Sequence, residues 1–329
     1  MPTPAFTAYR TFDESGTIVS RFVEMTLDEL DTGEVVIRAE YSSINYKDAL
    51  SHNGTGKIMR KFPTIAGIDM AGTVEASADA RFKKGDKVIV HGYDMGVAHD
   101  GGYAEHVRVP ADWVVRRPES MTAFDAMTLG TAGYTAGLAI QLMQHNGLTP
   151  DSGPVAVTGA TGGVGSLAID IFTRAGFEVH AISGKTDRAD ALRALGARDV
   201  LGRDALATQR PMDTARFGGG LDNVGGAMLA ALLAQTAPYG NVASAGLAAS
   251  ADLPTTVMPF IIRGVSLLGV ASAGTARDIR EELWRRLASD WKPAHLERIC
   301  TREIGLEQLP EVFATMLGGG SFGRTVVRM

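Results

Sequence analysis

Two kinds of hydrophobic spacing divide the chain, and one gives way to the other near residue 120. Before that point apolar residues come in short runs. Gly33 to Asn45, Ala71 to Glu75, Lys83 to Gly92 and Gly101 to Pro118 each carry a short or alternating apolar segment, bounded by glycine, proline or aspartate. Short strands with turn signals at close spacing predict a barrel-like or sandwich β domain. After residue 120 the period lengthens. Ala123 to His145 has helical spacing and many small residues, and strand and helix patterns then alternate. VAVTG precedes VGSLAIDIFTRAG, FEVHAIS precedes TDRADALRALGA, and DVLGR, GGLDNVGG and GNVASAG supply later strands and turns. Such alternation predicts a parallel, doubly wound α/β sheet. Arg277 to Trp291 and Leu306 to Gly320 read as helices, and SFGRTVVRM as a closing strand that returns to the first domain.

Composition narrows the function classes. With 329 residues the chain is long for one core and is expected to form two domains. Hydrophobic residues at 45% and charged residues at 21% are ordinary globular usage. A net charge of -5 gives no general attraction to nucleic acid or anionic membrane. No run of about 18 apolar residues is present. The N-terminal MPTPAFTAYRTFDESG lacks a basic start followed by an apolar stretch, and Cys300 is the single cysteine, so a cytoplasmic protein is expected.

The strongest local signal is Val155 to Ser166, VAVTGATGGVGS, where a strand runs into glycines and a helix follows. Glycines let a backbone approach a pyrophosphate, and the following helix N-terminus offers N–H groups and partial positive charge. Thr161, Gly162, Gly163 and Val164 are therefore candidate cofactor contacts. The spacing is Gly159-x-x-Gly162-Gly163-x-Gly165 rather than strict G-x-G-x-x-G. The next strand ends in Ser183-Gly184-Lys185, with Arg188 nearby and Arg198 beyond the following helix. NAD-binding folds often carry a carboxylate at such a tip, for the ribose 2′-hydroxyl. Here a hydroxyl and cations suit the 2′-phosphate of NADPH instead.

The order of LGTAGYTAG, VTGATGGVG, SGK, LPTTVMPFIIRGVSLLGV and GRTVV resembles the medium-chain dehydrogenase/reductase superfamily and its zinc-free quinone oxidoreductase-like branch. SSINYKDALSHNGTGKI and FPTIAGIDMAGTV are similar to the acrylyl-CoA reductase (NADPH) subfamily, of YhdH/YhfP type. The resemblance implies a GroES-like catalytic domain over residues 1–124 and 272–329, and a Rossmann NADP-binding domain over 125–271. It implies no metal: zinc members carry Gly-His-Glu and a catalytic cysteine, whereas this chain has Gly67-Ile68-Asp69 and only Cys300. His91, His99 and His106 read as ordinary polar groups.

The implied reaction is NADPH-dependent reduction of the C=C bond of a short 2-enoyl-CoA: hydride to the β-carbon, then protonation of the enolate. Tyr46 is the candidate proton donor and a nicotinamide contact, Asn45 a donor to a carbonyl or ribose, and Asp48 an orienting group. Further cofactor contacts implied by the resemblance are Thr131, Ala245, Leu268 and Arg324. Lys57, Arg60 and Lys61 form a candidate patch for CoA phosphates. A quinone or enone reductase and a non-catalytic NADPH-binding protein remain alternatives. The apolar LPTTVMPFIIRGVSLLGV segment is expected to form a strand at a homodimer interface.

Overall fold

The computed structural model describes residues 5–329 and divides the chain into two compact units. The first comprises Met1–Thr131, Ala273–Arg285 and Cys300–Met329; the second comprises Ala132–Ser272 and Arg286–Ile299. The division differs from the sequence expectation in three places, the smallest being Ser272, which falls in the second unit. The first boundary falls after Thr131 rather than 124, and 286–299 belong to the second unit.

The first unit opens with a hairpin of β1 (Phe6–Glu14) and β2 (Thr17–Met25). Ser15 and Gly16 form its two-residue turn with φ of 57° and 90°, the left-handed pair that matches strand twist. The sequence reading missed this hairpin, although Ser-Gly between alternating segments is its signal. There follow β3 (Val35–Ser43), α1 (Tyr46–His52), β4 (Thr64–Ile65), β5 (Asp69–Ser77), β6 (Lys87–His91), β7 (His106–Val109) and β8 (Val114–Arg116). Helix α2 (Ala123–His145) begins in this unit and breaks at Gly130, where φ is 49° and ψ −152°.

In the second unit β9 (Val155–Thr158), α3 (Gly163–Arg174), β10 (Val179–Ile182), α4 (Ala189–Ala194), β11 (Asp199–Leu201), β12 (Phe217–Asp222), α5 (Gly226–Ala234), β13 (Thr236–Ser244), α6 (Met258–Arg263) and β14 (Ser266–Gly269) succeed one another. The chain ends with α7 (Arg277–Leu287), α8 (Leu296–Ile299), β15 (Cys300–Gly305), α9 (Leu309–Leu317) and β16 (Arg324–Arg328).

The six strands β9 to β14 form one parallel sheet, in the order β11-β10-β9-β12-β13-β14. Numbered within the sheet this is 3-2-1-4-5-6, the doubly wound dinucleotide order. Val155, Val157 and Leu221 are fully buried in its centre, as near-continuous apolar strands of a two-faced sheet must be. In the first unit β15-β16-β3-β5-β6-β8 form a mixed sheet, with β7 also on β3. The C-terminal β16 returns to pair antiparallel with β3, placing Val326 opposite Ser43. Val35, Ile37, Met70, Val88 and Val90 fill its core. Each such side chain contributes roughly 1.5–3 kcal/mol on burial.

One apolar segment departs from its expected form. LPTTVMPFIIRGVSLLGV is part helix: Pro259 sits in the first turn of α6, and Gly264, at φ 62°, ends it before β14. Pro starts helices well, and left-handed Gly stops them.

Candidate functional site

Two constellations emerge, one in each unit. In the second unit the glycine loop joins β9 to α3. Gly165 is there because loop and helix touch: a Cβ on it would stand 2.4 Å from the Gly159 carbonyl oxygen. Gly162 precedes α3 and offers no side chain to cap it. The first-turn N–H groups of α3 are thus open to an anion. Thr161 is buried in this loop, while Gly162, Gly163 and Val164 are half-buried.

The adjoining tip of β10 carries the cations. Ser183 is buried, its Oγ accepting the Lys185 N–H at 3.0 Å. Partial burial, and then the neighbouring Arg188 and Arg203 charges, hold the Lys185 ammonium below the usual lysine range, with Asp187 opposing. Arg203 is exposed, and its Nε lies 2.8 Å from where a Cβ on Gly184 would stand. The sequence reading missed this residue. It chose Arg198, which the structure places elsewhere: Arg198 donates its N–H to Val179, the first residue of β10, whereas Ser183 lies past the last. Parallel pairing of β10 with β11 carries the chain from the far end back to the tip, so the cation that arrives beside Gly184 is the one after Leu201. Ala245 lies just past the end of β13, whereas Leu268 lies within β14. The Ala245 N–H donates to the Asp222 carbonyl at 2.8 Å, and Leu268 lies half-buried in β14.

In the first unit a polar network gathers the buried Ser43, Asp69 and Arg324 with the half-buried Asn45 and Thr131. Asp69 has no exposed surface. Its Oδ1 accepts the Ser43 N–H at 3.1 Å and the Ser43 hydroxyl at 2.7 Å. Its Oδ2 accepts Asn45 Nδ2 at 3.0 Å and the Thr131 N–H at 2.9 Å. Arg324 enters from β16, also buried, and is fully engaged. Nε donates to Thr128 O at 3.0 Å, Nη1 to Ile44 O at 2.8 Å and Asn45 Oδ1 at 3.2 Å, and Nη2 to Ser43 Oγ at 2.5 Å and Met127 O at 3.4 Å. Burial disfavours its charge, and the Asp69 carboxylate opposes that effect. The break at Gly130 is shaped around this cluster: a Cβ there would stand within 2.9 Å of Ser43 Oγ, Asp69 Oδ2 and Arg324 Nη2.

Two expected roles change as a result. Asn45 gives its amide hydrogens to Asp69 and Ser43 and its carbonyl to Arg324, so it braces the network and has no amide hydrogen left for a substrate carbonyl. Arg324, with five N–H groups on five acceptors, has none for a cofactor. Thr131 enters the network through its backbone. Asp48 is buried and orients α1: Oδ2 accepts the Asn45 N–H at 2.8 Å and Oδ1 the Ile68 N–H at 3.2 Å. Burial, and next the Asp69 charge, push its carboxyl up to about 7. Tyr46, the first residue of α1, stands apart. It is 49% exposed, and its hydroxyl has no hydrogen-bond partner among the described residues.

The candidate CoA patch is mostly spent. Arg60 pairs with Asp94 and Lys61 with Asp31. Lys57 is exposed and unpaired among the described residues. Zinc does not fit the Asp69 position. The neighbouring donors are hydroxyl, amide and guanidinium groups rather than thiolate or imidazole, and both carboxylate oxygens already accept hydrogen bonds. Among the described residues no cluster of three or more His, Cys, Asp or Glu could hold a metal ion, and no helix is long and apolar enough to cross a membrane.

Comparison with known proteins adds independent findings. Residues 31–119 match the alcohol dehydrogenase GroES-like domain, and residues 163–289 match the zinc-binding dehydrogenase family. The chain is 44% identical to acrylyl-CoA reductase AcuI of Ruegeria pomeroyi, over 96% of both chains. The crystal structure of the yhdH oxidoreductase from Salmonella enterica in complex with NADP superposes with a TM-score of 0.95 at 41% identity, covering 98% of this chain and 99% of that one. Bacillus subtilis yhfP with NAD bound gives 0.96 at 40% identity, over 99% and 100%.

Proposed function

This chain belongs to the medium-chain dehydrogenase/reductase superfamily and is an NADPH-dependent oxidoreductase; from that premise we propose that it reduces the C=C bond of a short 2-enoyl-CoA such as acrylyl-CoA. The likeness to acrylyl-CoA reductase over nearly the whole of both chains carries the substrate class. Bound NADPH supplies the hydride. The open N-terminus of α3 would hold its diphosphate, and Ser183, Lys185 and Arg203 its 2′-phosphate, through charge-assisted bonds.

In the first unit the chain's part is proton handling. Hydride arriving at the β-carbon leaves an enolate, which must be protonated at the α-carbon. Tyr46 alone in the Asn45–Asp48 segment keeps an uncommitted O–H. It would donate to the enolate oxygen or pass a proton through water. Asn45, Asp48 and Asp69 set where that phenol stands.

A second reading, an NADPH:quinone or enone reductase, draws on the pairing of Arg60 and Lys61, which leaves Lys57 as the one uncommitted cation of that patch for a CoA phosphate. Following the nicotinamide absorbance with acrylyl-CoA, crotonyl-CoA and a simple quinone separates the two. Oxidation of NADPH only with the thioesters supports the first, and only with the quinone the second. Tyr46→Phe is expected to lower kcat about 10- to 100-fold with the preferred acceptor while the Kd for NADPH stays within about twofold.

The reading includes a homodimer in the cytoplasm. Strand β14 is the edge of its sheet, and Val257, Ile261, Ile262 and Leu267 lie exposed on it and on the preceding segment. An unpaired apolar edge invites pairing with its own copy. Light scattering on Ile261→Glu is expected to read a monomer; a wild-type monomer would refute the pairing.

A further inference from the structure

The strand order of the parallel sheet reverses between β9 and β12. At such a switch point successive connections leave to opposite faces, and a crevice opens beyond the strand C-termini. Main-chain pairing between these two strands stops at Val157 and Leu221. The next residues, Thr158 and Asp222, have no exposed surface and are joined through their side chains.

The join is closed on itself. Thr158 Oγ1 donates to Asp222 Oδ1 at 2.7 Å and accepts the Asn223 N–H at 3.0 Å. Asn223 Nδ2 returns to the Thr158 carbonyl at 2.9 Å. Asp222 Oδ2 accepts the Gly225 N–H at 2.7 Å and the Val224 N–H at 3.2 Å. The glycine loop begins at the residue after Thr158, so one buried carboxylate ties that loop to the Asn223–Gly225 turn across the crevice.

The chemistry is informative. Among the described residues no cation pairs with Asp222, and burial holds its carboxyl above the usual range. A negative charge beneath a site for a diphosphate also opposes binding. Its role is therefore one of shape. Three donors from two strand ends converge on one group; an asparagine has a single oxygen and would leave either the Thr158 hydroxyl proton or the Val224 and Gly225 N–H groups without an acceptor.

We propose that Thr158 and Asp222 form a clip that sets the spacing of the glycine loop from the Asn223–Gly225 turn, making them positioning residues for the dinucleotide. The inference rests on the reading that the cofactor lies across Gly159–Gly165. It assigns the clip to affinity for the whole dinucleotide and leaves phosphate selectivity to Ser183, Lys185 and Arg203.

The test titrates NADPH and NADH into wild type, Thr158→Val, Thr158→Ser, Asp222→Asn and the Val/Asn double variant, with thermal unfolding of each in parallel. Thr158→Val and Asp222→Asn are expected to weaken both nucleotides about tenfold, leaving the NADPH/NADH ratio unchanged. Thr158→Ser, which keeps the hydroxyl, should restore affinity. The double variant should be no weaker than the worse single one, because both break one unit. Lower melting temperatures with unchanged Kd for both nucleotides would show a merely structural pair and overturn the proposal. So would a shift in the NADPH/NADH ratio. Wild type that binds neither nucleotide would refute the loop reading and the clip with it. Should Asp222→Asn fail to fold, the Thr158 series alone decides.

Discussion

The two polar constellations of this chain are built in opposite ways. In the first unit Asp69 and Arg324 are sunk in the interior with the half-buried Asn45 beside them, and the donors and acceptors of all three side chains are engaged within the protein. In the second unit the α3 N-terminus lies uncapped and Arg203 lies exposed at the β10 tip. A closed network holds geometry, since every alternative arrangement leaves a buried group unpaired. An open one keeps helix N–H groups and an exposed guanidinium where an anion can reach them. Tyr46 is the exception in the first unit. Its phenol is left open by neighbours that are locked.

Breaking the closed network should have the largest effect. Arg324→Met removes the guanidinium facing Asp69 and Asp48 and strands five acceptors, at a cost of about 3–5 kcal/mol in unfolding free energy by denaturant titration. A loss under 1 kcal/mol would show that the network relaxes easily and that its contrast with the open tip is false.

The same cluster should titrate. Asp69, Arg324 and the Tyr103 hydroxyl face the Asp48 carboxyl, which burial pushes up to about 7 from an ordinary 3.8. A folded pKa above the unfolded one means that the folded state binds the proton more tightly. Asp48's contribution is therefore fully present below about pH 4 and is lost as pH rises toward 7. The loss runs at up to about 1.4 kcal/mol per pH unit. Asp48→Asn should flatten that part of the stability–pH curve, with wild type and variant diverging across this window. Parallel curves would place the proton elsewhere.

At the open tip the effect is on binding. Arg203→Ala should raise the Kd for NADPH about 10- to 100-fold and leave NADH nearly unchanged, with little change in melting temperature. Equal loss for both nucleotides would place Arg203 away from the 2′-phosphate.

Much of the second unit was legible along the chain because its signals are local. A strand, a glycine cluster and a helix lie within about twenty residues, and backbone chemistry ties them to one another. Asn45, Tyr46 and Asp48 were singled out by the resemblance of one short stretch to the zinc-free branch, and they lie together at the start of α1. The misreadings came where partners are distant. Arg324 meets Asn45 from 279 residues away, and only the return of β16 to β3 makes it a brace rather than a cofactor contact. Arg198 and Arg203 are alike as residues, and which of them reaches Gly184 depends on the end of β11 at which each sits.

By itself the amino-acid order determined the alternation of elements, the glycine loop between a strand and a helix, and the cationic character of the β10 tip, because these depend on periodicity and on neighbours in the chain. Only the tertiary structure decided which polar groups are spent and which are free. That distinction depends on burial and on partners brought together by strand pairing, and neither is a property of any short stretch of sequence.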